Sequence, residues 1–363
     1  MVGVQRIFDK YSGYVIIRIL SLFRIFDKPL EAPRKFLVIK LWAIGDSILT
    51  LSLIRGIRES FEGSTIDVLL RTRVKDVFEC YHIDRIYNFD SFSDLVKLLR
   101  MFRRYDVVFD CEPYLNLSAI LAFILGKNRI GFSDQSRSVL YTRKTSFRKD
   151  QHMVQNYLDM LRILGRQYDT QELERLSVRE TEKKKVDGFI SGLLPQKVIV
   201  GITPGVAESS KNRMWFEERF SDLADRIIDQ LNCSVVFIDG PGNEKVVNKV
   251  ISLMKRKPFN SMGLFTLKET FYLISKCNIF ISNDTGPMHV AASQGCMTIG
   301  LFGPNTPVLW APLGKGNVAI YKTKLEPAIL NDKGIFREGN REGYMGCISV
   351  DDVFEKVKEC LRK

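Results

Sequence analysis

The chain has 363 residues, 45% hydrophobic and 26% charged, a globular composition that excludes disordered and collagen-like classes and suffices for two domains. The net charge is +12, with 32 basic and 24 acidic residues through position 187 and 22 against 18 beyond, so an acidic partner is expected at the front half. No apolar run reaches the roughly 18 to 20 residues of a spanning helix, and seven cysteines without a CxxC spacing, beside three histidines, argue against a disulfide framework or a multi-histidine metal centre.

The first 35 residues form an apolar, arginine-punctuated segment. Tyr14 to Phe26 is interrupted by Arg18 and Arg24 and lacks a cleavage site, so it is not a signal peptide. It reads as a helix lying in a membrane interface with its arginines toward lipid phosphates, or as a helix packed on the protein's own core. Pro29 and Pro33 then break the chain before the first core strand.

Phe36 to Leu41 is a buried-strand candidate, and Gly45-Asp46 turns into a helical period over Ile48 to Phe61. Strands follow at Thr65 to Leu70 and Asp106 to Asp110, with an apolar helix over Leu117 to Leu125. After a polar stretch, Arg179 to Asp187, the alternation restarts. Strands are expected at Lys197 to Ile202, Ser234 to Asp239, Ile279 to Ser282 and Met297 to Phe302, with a helix near Glu217 to Leu231. Strands alternating with helices imply parallel sheets, here two doubly wound Rossmann-like α/β domains facing across a cleft. The expected divisions are an amphipathic segment (1–35), two domains (36–187 and 188–340) and a C-terminal helix (341–363).

The run from Ser282 to Ala292 ends a strand in a polar loop and opens a helix at Pro287. Gly286 permits close approach of a ligand, the first helical amides suit an anion, and Thr285 adds a hydroxyl. His289 is expected at the same mouth as a donor, and Asp284 as an acceptor for sugar hydroxyls. An ordinary N-cap by Asp284 or Thr285, with His289 merely packed, is the plain alternative.

The stretch Asp284 to Ala292, continued by Leu301 to Pro307, resembles the signature of bacterial ADP-heptose heptosyltransferases, glycosyltransferase family 9. Phe36 to Leu53 is similar to that family's first strand and Gly-Asp loop, and Gly346 to Val353 resembles its C-terminal motif. The resemblance implies a GT-B architecture and an inverting transfer in which Asp46 is the general base; capping of the following helix is the alternative role. It also implies that Thr203 to Trp215 is a phosphate loop. Thr203 and Gly205 stand at its start, Arg213 stands two residues before Trp215 where the family usually has lysine, and Lys211 lies two residues earlier. Glu244 corresponds to an acidic residue that contacts ribose, or is a solvated residue at a helix start.

The chain has no Asp-x-Asp, so no metal and no cofactor is expected; basic side chains and helix amides are expected to hold the leaving diphosphate. The basic groups around Lys97 to Arg104 and at Arg137, Arg143, Lys144, Arg148 and Lys149 suit an anionic acceptor, or are solvated faces. The partners implied are ADP-heptose, a lipid-linked oligosaccharide acceptor and an anionic membrane surface, with a cytoplasmic, peripheral inner-membrane location. Another nucleotide sugar, another acceptor, or a non-catalytic sugar-nucleotide-binding protein are the alternatives. Nucleic acid is not expected, since no helix-turn-helix, zinc or RNA-binding motif is present.

Overall fold

Two all-parallel sheets of six strands each organise the protein. The computed structural model describes residues 2–26, 30–193, 198–327 and 340–362. The chain divides into one unit through Thr170 and a second from Gln171 onward. Pro29 and Lys197, expected to break the chain and to begin a strand, lie outside the described residues.

In the first unit the strands are β1 (Lys35–Ile39), β2 (Thr65–Leu70), β3 (Arg85–Asn88), β4 (Tyr105–Asp110), β5 (Gly126–Phe132) and β6 (Arg143–Thr145), in the order β3-β2-β1-β4-β5-β6. The helices are α1 (Val2–Ser21), α2 (Ile44–Ser60), α3 (Lys75–Glu79), α4 (Phe92–Leu99), α5 (Asn116–Leu125) and α6 (Met153–Arg162). The chain runs from β1 through α2 toward one side and from β4 through α5 toward the other. Right-handed crossovers therefore put α2 and α5 on opposite faces. α6 packs beside α2, while α5 is flanked by α1 and α4. The order reverses between β1 and β4, the place where open α/β sheets hold ligands.

α1 docks on this unit by one side. Ile17 is buried against Ala119, Phe123, Leu140 and Tyr141. The Asp9 carboxylate accepts from the backbone N–H groups of Asn116 (3.0 Å) and Leu117 (2.7 Å), capping α5. Gly13 sits where a Cβ would come within 2.6 Å of the Asn116 Cβ. The other side exposes Val15, Ile16 and Ile19, and the turn that follows α1 exposes Leu22 and Phe23. One side of the helix is thus packed on the core, and the other is apolar and exposed. Among the described residues no helix is long and apolar enough to cross a membrane.

The second unit contains α7 (Glu180–Ser191), β7 (Ile199–Thr203), α8 (Glu217–Leu231), β8 (Ser234–Phe237), α9 (Glu244–Leu253), β9 (Phe259–Asn260), α10 (Leu267–Ser275), β10 (Ile279–Asn283), α11 (Gly286–Ser293), β11 (Met297–Phe302), α12 (Pro307–Trp310), β12 (Val318–Tyr321), α13 (Arg341–Met345) and α14 (Val350–Leu361). Its sheet order, β12-β11-β10-β7-β8-β9, reverses between β7 and β10.

One expected division is corrected. The boundary falls after Thr170 rather than at 187, because the charged stretch is not a linker. It forms α7, which packs on α10, and Lys185 donates to the Leu264 carbonyl (2.5 Å). The expected C-terminal helix is present as α14, and Tyr344, Met345, Ile348, Val353, Phe354 and Val357 belong to the core of the second unit.

Candidate active site

In the first unit the chemistry gathers at the C-terminal ends of β1 and β4. Asp46 lies in the first turn of α2, its side chain 27% exposed. The residue before that helix, Ala43, has φ of 65°, a left-handed backbone that costs a non-glycine residue about 1–3 kcal/mol. Asp46 provides no side-chain cap; Ala43 is the capping residue and makes no such bond. Instead Lys40 Nζ stands 3.5 Å from Asp46 Oδ2 and 3.3 Å from Glu112 Oε1.

Lys40 and Glu112 are both buried. Burial works against the Lys40 charge, but Glu112, Tyr157 and Asp46 together outweigh it, and the ammonium is held above its usual range. Burial pushes the Glu112 carboxyl up, opposed by Lys40 and by the N–H groups of Leu41 (2.6 Å) and Trp42 (2.9 Å) that donate to Oε1. With a cation and two donors on one carboxylate, the pair is ionic. The Tyr157 hydroxyl is buried in the same environment and has no hydrogen-bond partner. This leaves one partly open carboxylate, Asp46, on a buried ionic support.

Beside it, the buried Asp110 Oδ2 accepts from Ser118 Oγ (2.9 Å), Tyr141 OH (2.6 Å) and Arg137 Nη1 (3.1 Å). Arg137, expected among basic residues facing an acceptor, is fully buried in this network and is structural. Its Nη1 and Nη2 also donate to the carbonyls of Leu115 and Glu112, while its buried Nε has no hydrogen-bond partner. Arg148 is an exposed partner of Asp150.

In the second unit, the residues after β7 and β10 are fastened around Asn283. Its side chain donates to the Pro204 carbonyl (2.8 Å) and accepts from the Trp215 N–H (2.9 Å), joining the two ends of the loop between them. Thr203 is buried, its hydroxyl donating to the Ile238 carbonyl (2.5 Å). Gly205 N–H donates to Asp239 Oδ2 (2.6 Å), and a Cβ on Gly205 would lie 2.3 Å from the Asn243 Cγ, so this position requires glycine. Burial pushes the Asp239 carboxyl up, while Asn243 and the N–H groups of Gly205 and Gly240 oppose it.

Arg213 Nη1 is 3.4 Å from Asp284 Oδ2, which also accepts from Asn305 Nδ2 (2.5 Å). Lys211 is not brought to this group. Its side chain is 65% exposed and pairs with Glu208. Thr285 is the capping residue of α11 yet makes no side-chain cap; its hydroxyl lies 3.1 Å from Ser282 Oγ. Gly286 begins the helix, and the Met288 N–H is taken by the Thr285 carbonyl (3.1 Å). His289 is 4% exposed, packed one turn in. Glu244 opens α9 with its carboxylate accepting from the Gly242 N–H (2.9 Å).

The C-terminal motif braces this loop. Trp215 is fully buried and its Nε1–H donates to the Ile348 carbonyl (3.0 Å). Arg341 donates to the carbonyls of Met214 (2.8 Å) and Trp215 (3.0 Å). Sequence reasoning missed Lys40, Glu112, Asp239 and Asn243. Asn283 and Asn305 lay inside the quoted motifs without a role. Among the described residues no three His, Cys, Asp or Glu side chains gather to hold a metal ion.

Residues 94–333 match glycosyltransferase family 9 (heptosyltransferase). The chain belongs to glycosyltransferase family 9. As a family 9 member it is a glycosyltransferase, built of two doubly wound domains, the GT-B architecture. The matched stretch contains every second-unit candidate and stops short of Asp46.

Relatives of this family 9 chain extend the likeness beyond that stretch. The lipopolysaccharide core heptosyltransferase OpsX of Haemophilus influenzae is 23% identical over 78% of this chain and 82% of its own. Lipopolysaccharide heptosyltransferase 2 of Escherichia coli is 26% identical over 77% and 85%. Among solved structures, the family 9 glycosyl transferase of Veillonella parvula aligns with TM-score 0.75 and 26% identity, covering 93% of this chain and 99% of its own. The E. coli ADP-heptose lps heptosyltransferase II aligns with TM-score 0.73 at 21% identity over 90% and 98%, a likeness of fold.

Proposed function

We propose that this chain transfers a heptose, with inversion, from ADP-heptose to a lipopolysaccharide core acceptor at the cytoplasmic face of the inner membrane. The observation that carries the reading is the family 9 match, joined to a partly exposed carboxylate, Asp46, at the switch point of the first sheet. Asp46 is the base that takes the proton of the acceptor hydroxyl as it attacks the anomeric carbon. The first unit holds the acceptor. In the second unit, the donor diphosphate lies against the loop of Thr203 and Gly205, with Arg213 and the start of α11 at Thr285 and Gly286. Asp284 and Glu244 accept from sugar and ribose hydroxyls. Lys211, on the solvent side, contributes long-range charge. His289, buried in α11, orients that helix rather than donating directly. No metal takes part: Arg213 and helix amides meet the leaving group's charge.

The membrane part of the reading rests on the first unit's surface. Besides the exposed apolar side of α1, the first unit exposes a second apolar and basic strip, Val96, Lys97, Leu99, Arg100, Phe102 and Arg104. Beneath them, the buried Phe123 of α5 packs with Ile17 and lies 6.0 Å from the Arg103 guanidinium. Apolar groups among cations fit an anionic bilayer surface, which a lipid-linked acceptor requires.

Mass spectrometry of products, after incubating the full chain and a lipid-linked core acceptor with a panel of nucleotide sugars, tests the reading. The expected product carries one heptose, formed with ADP-heptose, at the anomeric configuration opposite to the donor's. Transfer with a different nucleotide sugar alone, or none with any, overturns the assignment.

A further inference from the structure

The C-terminal end of the first sheet carries a group that proton transfer at Asp46 does not use. Trp42 follows β1 and Arg71 follows β2, and the parallel register, Ile39 beside Leu69, brings these two chain ends side by side. The Arg71 Cζ lies 4.5 Å from the centre of the Trp42 ring and the Arg73 Cζ 5.5 Å from it. Two guanidiniums thus share one indole. No carboxylate within the described residues pairs with either. The acid nearest in the fold's logic, Asp90, is committed to the Thr72 N–H (3.1 Å) and hydroxyl (2.5 Å) between them.

The Arg71 Nε is buried and has no hydrogen-bond acceptor. A buried guanidinium donor left without an acceptor is unfavourable, and a pair of like charges on one ring adds repulsion. Both are relieved by one oxyanion. A planar guanidinium fork matches a carboxylate or phosphate bidentately, and its contact with the indole restricts the Arg71 side chain in advance. The group is also tied to the Asp46 support. The backbone N–H of Trp42 donates to Glu112 Oε1, the carboxylate that holds Lys40, and Lys40 reaches Asp46.

We infer that Arg71 and Arg73, held on the face of Trp42, bind an oxyanion, a carboxylate or a phosphate monoester, carried by the acceptor. This rests on the reading that the first unit takes an acidic acceptor. The pair supplies the acceptor's orientation, presenting a neighbouring hydroxyl to Asp46, and does not touch the reacting atoms.

The test uses the full chain in two ways. Tryptophan fluorescence is titrated with sodium phosphate and, separately, with a uronic acid, against sodium chloride at matched ionic strength. The expected result is a saturable change with at least one of the two anions that chloride does not give, lost in Trp42→Phe and weakened at least tenfold in Arg71→Ala/Arg73→Ala. Which anion acts distinguishes the carboxylate from the phosphate source. In transfer assays the double alanine variant is expected to raise the acceptor KM at least tenfold, by more than any fall in kcat. Arg71→Lys/Arg73→Lys, which keeps charge but not the planar fork, is expected to fall between the two. ADP-induced thermal stabilisation serves as the check that the variants are folded. No saturable change with either anion, a change that survives in the double variant, or an unaltered acceptor KM overturns the site. Absence of transfer in the wild-type chain counts against the acceptor reading itself, and the titration then decides on the anion site alone.

Discussion

The Lys40 ammonium stands between two carboxylates, 3.3 Å from the buried Glu112 and 3.5 Å from the partly open Asp46. The cation fixes where the Asp46 carboxylate points while leaving its other oxygen for a substrate. Asp46→Asn keeps the volume and most of the hydrogen bonding but takes no proton. Turnover is expected to fall by about 10² or more, with ADP binding little changed. Steady-state rates beside calorimetry check this, and near-normal turnover rules Asp46 out as the base.

Removing the cation has a different signature. Lys40→Met leaves Glu112 buried without its counter-charge, at a cost of about 3–5 kcal/mol near neutral pH. In the wild type, the raised Lys40 pKa gives stability that is fully present below about 10.4, the unfolded value, and lost as pH rises through the folded one. In the variant, the Glu112 carboxyl has its pKa raised by burial with no lysine to oppose it. Its folded state then holds a proton that the unfolded state gives up near 4.3, so stability falls as pH climbs from there. Urea denaturation at pH 5, 7 and 8.5 is expected to show a deficit that grows with pH; an equal deficit at all three contradicts the ionic pairing.

Arg213 and Lys211 separate cleanly by position, one against Asp284 and the other out in solvent with Glu208. Arg213→Ala is expected to weaken ADP binding by about 1–3 kcal/mol, the scale of a charge-assisted hydrogen bond. Lys211→Ala is expected to stay within about 0.5 kcal/mol. Isothermal titration of both variants decides, and the reverse ranking would move the diphosphate contact to Lys211.

The two sides of α1 can be tested apart. Ile19→Glu with Leu22→Glu alters the uncovered side and is expected to abolish flotation with anionic vesicles at an unchanged melting temperature. Ile17→Glu strikes the side packed on Phe123 and Tyr141 and is expected to lower the melting temperature. Wild-type protein that remains with the soluble fraction at low salt defeats the membrane reading.

How much of this could be read in advance depended on local chemistry. Thr65–Leu70 and Ile279–Asn283 are apolar and β-branched, and their strands were visible as such. β5 was hidden by Lys127, Asn128 and Arg129, residues that look like solvent. Arg129 is in fact fully buried, donating to the carbonyls of Leu140 (2.7 Å), Gly126 (3.2 Å) and Lys127 (3.1 Å). The same blindness covered the site. Asp46 stands out beside a glycine in a turn, whereas Lys40 and Glu112 are charges at strand ends whose pairing, across 72 positions, only the β1–β4 neighbourhood creates. Arg137 misled in the opposite sense, since a basic residue in a basic stretch gives no local hint that Asp110 awaits it.

The bond from the Trp215 indole to the Ile348 carbonyl spans 133 positions of sequence. During synthesis at about 5–20 residues per second, the ribosome must add those residues before that anchor exists, several seconds or more after Trp215 itself has appeared. The first unit has by then all of its own strands. The nascent protein therefore acquires the half that carries Asp46 before the half that carries Arg213. A chain cut short between residues 215 and 348 keeps the loop from Thr203 to Trp215 without the anchor that seats it.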